Sequence, residues 1–326
     1  MTQQINHHFT LAFAVLLVCF LPGCNKESNA LRTQNLGPEG AFSITVSPKY
    51  AVVGSVDGSA KVWPAKGKKP LYSWLHGSDN PEGVVASAIE ANEKYAITAE
   101  RNSLAWWRLT DGSLLGSWSF DGIHAVSLAA GGQYALIGLA NKAVYFSLSS
   151  GKTLFVFPHN GPVTTTTLSL NGAYGLTGST DRTAKFWRLK TGNLAYTWQH
   201  QTKISCVALS PKGTYAMTNA HLGETRVWKT ATGKLKRVIG PKLMTVSAAA
   251  FSPDEKRLLT GRVSQRIDLW GIKSGKNLRH WTPKKQHIWR PSATPVVSLQ
   301  FSNRGKNFIS ASSTGYIQKW RVNATK

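Results

Sequence analysis

The chain has 326 residues, three cysteines and a formal net charge of +24 at pH 7. A charge of this size attracts polyanions and makes association salt-dependent. Cys19 and Cys24 lie within or just after an N-terminal apolar run, so Cys206 is left alone and a disulfide-stapled fold is excluded.

Taken from the start, residues 9–20 are apolar and lead into Leu21-Pro22-Gly23-Cys24. The run is shorter than the roughly 20 residues a helix needs to cross a bilayer, and has the length of a signal-peptide core. Its Leu-x-Gly-Cys ending resembles the lipobox of bacterial lipoproteins. That resemblance implies cleavage before Cys24, diacylation of its sulfur and often acylation of the new amine. Two or three acyl chains hold a protein on a membrane where one is marginal. The expected organisation is a signal peptide at 1–23, a short lipidated linker at 24–30 and a folded domain at 31–326. Asn25 follows the cysteine where an Asp would favour inner-membrane retention in enterobacteria-like systems. The expected location is the outer membrane, facing the periplasm, with the inner membrane as the alternative. An uncleaved anchor and a soluble secreted form are the other readings.

Beyond the linker an aromatic residue returns about every 41 residues: Trp63, Trp107, Phe146, Trp187, Trp228, Trp270 and Trp320. Self-similarity at this period marks an array of small sheets, none of which can bury its own face. In the fourth unit, strands are predicted at 164–170, 174–178, 183–188 and 194–199. Each is flanked by Gly, Asn, Asp or Pro turn chemistry. Ser47-Pro48, Ser210-Pro211-Lys212-Gly213 and Ser252-Pro253-Asp254 repeat one turn. Gly54, Gly138, Gly178 and Gly261 recur in the second strand, where a missing side chain lets neighbouring backbones approach closely.

On these residues the chain resembles the WD40 family of β-propellers over residues 31–326. The resemblance implies an all-β, seven-bladed propeller of four-stranded antiparallel blades. Residues 31–36 would supply the missing strand of the last blade and close the ring. It also implies a buried network in the fourth unit, with His159, Thr177, Asp181 and Trp187 linking turn to strand. His159 with Asp181 reads better as this structural network than as a catalytic pair. In the fifth unit His200, Thr218 and Trp228 remain, while Leu222 replaces the acid. Cys206 lies in a segment of apolar character and is expected to be a buried, inert thiol.

The charge is uneven. Residues 1–121 hold ten basic and ten acidic residues, whereas 122–326 hold 29 and five. In the propeller family the turns after the first and third strands share one face, and these turns carry many of the lysines and arginines. Residue 31 begins a strand on that face, so a lipid anchor would emerge there and bring the basic face near a membrane.

The last interval, Trp270 to Trp320, is the longest. The excess falls at 281–295, in which Trp281, Lys284, Lys285, His287, Trp289 and Arg290 form a candidate partner-binding loop on the opposite face, because Trp and Arg often dominate interface energetics. Arg182, Arg262 and Arg266 could extend that surface. No metal pair, cofactor motif, serine-nucleophile elbow or phosphate loop is found. The expected function is therefore a non-enzymatic, monomeric interaction scaffold anchored in the cell envelope and binding a protein partner. The alternative is a binder of an anionic envelope polymer or nucleic acid.

Overall fold

A computed structural model of the chain describes residues 29–36, 41–77, 82–284 and 294–323. They form seven four-stranded antiparallel sheets. Six are meanders of consecutive strands, spanning 41–75, 86–119, 125–158, 163–199, 204–244 and 246–281; we number these blades 1 to 6. Blade 7 takes three strands from 296–321 and its outermost strand, Arg32–Asn35, from the other end of the chain. The first strand of each blade touches the first strand of the next, and that of blade 7 returns to blade 1, so the ring is closed.

The fourth unit follows its sequence closely. Its strands are Val163–Leu168, Tyr174–Ser179, Thr183–Arg188 and Asn193–Gln199. The second-strand glycines sit where the next blade presses in. A Cβ on Gly54 would lie 2.6 Å from the Val84 carbonyl oxygen, so no side chain fits.

The core lies between blades, in seven clusters that straddle the seams. A ring from the outer strand stacks on the third-strand aromatic of the following blade. Trp74 meets Trp107 at 4.8 Å, Phe157 meets Trp187 at 4.3 Å and Trp198 meets Trp228 at 4.8 Å. Burying faces of this size supplies most of the driving force for stacking one blade on the next.

Meander topology sends alternate turns to opposite ends. Turns between first and second and between third and fourth strands form what we call the lower face. The other turns and the blade-to-blade connections form the upper face. None of the seven first strands, which line the central channel, carries a charged residue.

Candidate functional site

The network of blade 4 spans a seam. His159 follows the outer strand of blade 3, and its Nε2 lies 2.7 Å from Thr177 Oγ1 in blade 4. Its Nδ1 lies 3.0 Å from Asp181 Oδ2, and Trp187 Nε1 donates to Thr177 Oγ1 at 2.9 Å. Burial alone would raise the Asp181 carboxyl. Bonds from the Thr183 hydroxyl and the Asn160 and Thr183 N–H groups outweigh it and hold the group at about 2. Burial pulls the His159 imidazole below its ordinary value, with Asp181 opposing. All four side chains are consumed within the fold, which leaves no open position for a substrate.

A second network occupies the seam between blades 1 and 2. His76 Nε2 lies 2.8 Å from Thr98 Oγ1 and its Nδ1 lies 2.6 Å from Ser103 Oγ, which donates to Glu100. Sequence reading missed it because His76 precedes its threonine by 22 residues, whereas His159 and His200 precede theirs by 18. In blade 6 the buried Asp268 takes the arginines instead. Arg266 Nε donates to it at 2.9 Å, and Arg262 Nη2 lies 2.7 Å away, off the line of a good hydrogen bond. Arg262 and Arg266 are therefore engaged with a carboxylate of their own blade and do not form a free extension of the binding surface.

Residues 151–188 match the family model described as WD domain, G-beta repeat. The matched WD repeat runs from the outer strand of blade 3 to the third strand of blade 4, and so contains the whole His159–Thr177–Asp181–Trp187 network. A search of curated proteins finds no match.

The candidate partner-binding loop divides. Trp281 is 2% exposed, at the end of the sixth blade's outer strand Asn277–Trp281, and packs edge-on against Phe308. This corrects the expectation that it is an interface anchor. It is the seam aromatic of blade 6, eleven residues after Trp270, as Trp74 follows Trp63 and Trp198 follows Trp187. That constant offset was the available signal. Lys284 is exposed on the upper face; its N–H donates to Gln318 Oε1 at 2.7 Å and its ammonium sits 5.5 Å from the Tyr316 ring centre. Lys285, His287, Trp289 and Arg290 lie outside the described residues, as does Cys24.

What the structure adds to this face is a cluster of exposed leucines. Leu222, in the turn between second and third strands of blade 5, is 57% exposed at φ 48°. Leu243, where the chain passes to blade 6, is 74% exposed at φ 63°. Both line one open cleft of about 630 Å³, with Arg226, Lys242 and Glu224 at its margin. A left-handed leucine costs roughly 1–2 kcal/mol that glycine, present at the matching turn as Gly58 and Gly315, avoids. Residues held against such strain in exposed positions often serve binding. Val263, in the corresponding turn of blade 6, is exposed too.

Cys206 is buried in blade 5, and burial pushes its thiol up to about 12, so it is inert. Among the described residues no group of three His, Cys, Asp or Glu is placed to hold a metal ion.

Proposed function

We propose that the chain is a non-enzymatic interaction scaffold, held in the bacterial cell envelope as a lipoprotein through Cys24. It faces the periplasm and binds a protein partner through the upper face of blades 5 to 7. Propellers built from this repeat commonly serve as interaction scaffolds. The observation that carries the reading is the pair of strained, exposed leucines, Leu222 and Leu243, around one cleft. Apolar side chains presented on rigid turns and edged by Arg226 and Lys242 suit a partner segment with an apolar anchor and acidic flanks. Lys284 lies on the same face, and Trp289 and Arg290, a few residues further along the sequence, would add to the contact.

In-cell crosslinking and co-purification test this. The wild-type chain should capture one protein that the Leu222→Ser/Leu243→Ser and Trp289→Ala/Arg290→Ala variants lose, each melting near the wild-type temperature. Cys24→Ser should move the protein out of the membrane fraction. A partner retained by both pairs of variants would sink the site.

A second reading rests on charge. With 29 basic and five acidic residues after position 121, the protein would bind an anionic polymer through its lower face. It is favoured if no protein is captured and a polyanion elutes with salt.

A further inference from the structure

The seam that closes the ring, between blades 7 and 1, receives no aromatic ring from its outer strand, as is also true of the seam between blades 5 and 6. At three other seams the outer strand sets two stacked rings against the following blade. These are Tyr72 with Trp74, Phe155 with Phe157 and Tyr196 with Trp198, at 6.1 to 6.4 Å between centres. Strand register gives Arg32 and Gln34 the same two positions. Arg32 pairs with Lys319 and Gln34 with Ile317, as Tyr72 pairs with Val62 and Trp74 with Ala60.

Gln34 retains half of the aromatic role. Its Nε2 donates to the Gly67 carbonyl at 3.0 Å, as Trp74 and Trp198 donate to those of Gly112 and Gly233. It brings no ring. A cleft open to solvent on the lower face lies between Arg32, Gln34 and the Tyr50, Ala51, Pro64 and Ala65 of blade 1.

Ile309 and Ala51 floor the cleft and are buried. Its lysine stands at a position that is apolar in the other blades, and Arg32 shares its register with Arg237 and Arg279. Lys319 occupies the register of Val62, Val227 and Leu269, all buried, yet is itself half-buried. Arg32 is half-buried too, and Lys66 sits at the rim. No carboxylate lines the cleft, and none of the three forms an ion pair among the described residues. A cation held over an apolar floor without a counter-charge is costly, and an anion that brings its own apolar body relieves the cost.

We propose that this cleft binds an aromatic carboxylate. The ring packs on blade 1 beside Arg32 and Gln34, where three other seams set an outer-strand aromatic pair, and the carboxylate pairs with Lys319 and Arg32. A free aromatic acid and an aromatic residue at the C-terminus of a polypeptide present the same two groups. The site lies on the face opposite the leucine cleft, so its fate is independent of the scaffold reading.

The experiment is calorimetric titration of the full chain with 3-phenylpropionate, with 3-phenylpropanol, and with a tetrapeptide ending in phenylalanine, carboxyl free or amidated. Two variants accompany it. Arg32→Tyr/Gln34→Trp installs the pair found in blade 1, and Lys319→Val restores the apolar residue; thermal melts verify that both fold. Carboxylate probes should saturate the wild type, at least tenfold tighter than the alcohol or the amide, and both variants should lose that binding. Saturation by both carboxylates assigns the free acid as a sufficient ligand, and by the peptide alone a chain terminus. No saturable binding to wild type, or binding undiminished in the filled variant, overturns the proposal.

Discussion

His76, His159 and His200 each set a ring nitrogen against a threonine hydroxyl of the following blade, and burial lowers all three imidazoles. For His76 and His200 the lowered value is about 4. The folded state therefore keeps these two neutral while the unfolded chain takes up protons below about pH 6.5. Their contribution is fully present above 6.5 and is lost as pH falls towards 4, at about 1.4 kcal/mol per pH unit for each histidine. The thermal midpoint should drop across that window. A His76→Gln/His200→Gln variant should start lower and fall less steeply. An equal slope in the variant would assign the acid sensitivity elsewhere. Asp181, held at about 2, adds to acid unfolding only below this range.

The turn between second and third strands differs in chemistry from blade to blade. Blade 4 uses it for Asp181, which bonds back across the seam; blade 5 offers Leu222, whose N–H is satisfied by Thr245 Oγ1 at 2.9 Å. Stability and binding are expected to pull in opposite directions at this turn. Leu222→Gly should raise stability by up to about 1 kcal/mol in denaturant melts, because the left-handed strain is relieved. It should weaken capture of a partner at the same time. A loss of stability would mark Leu222 as a folding residue. The existence and order of the strands were legible here from turn chemistry and alternation. The exposure of Leu222 was not, since it depends on how the chain between blades 5 and 6 runs past it.

At the scale of the molecule, stability depends on a closure that joins residues 32–35 to 316–319. Residues 323 and 29 lie just beyond neighbouring strands, Tyr316–Arg321 and Arg32–Asn35, on the lower face, where every other blade has a turn between third and fourth strands. A circular permutant joining them through such a turn, and opened at the exposed Asn171-Gly172, should melt within a few degrees of wild type. Deleting residues 29–36 should abolish the single cooperative transition, because the blade 7 sheet loses its outer strand and the ring opens. A deletion that melted like wild type would show that the clasp is dispensable.

The amino-acid sequence by itself determined the blade count, the strand order and the identity of the closing strand. The first two rest on turn chemistry and aromatic spacing that recur about every 41 residues, so local pattern carries them; the closing strand followed from the resemblance to a ring of such units. Trp281 was legible but misread: composition made it a candidate anchor, whereas its eleven-residue offset from Trp270 matched the seam aromatics, and the structure packs it against Phe308 in the core. Arg262 and Arg266 were read as a possible extension of the binding surface, and the structure sets both against Asp268. The cleft at Arg32, Gln34 and Lys319 was invisible for the same reason. It exists because the last seam borrows its outer strand from the far end of the chain, and that strand lacks the aromatic pair which three other seams supply from nearby sequence.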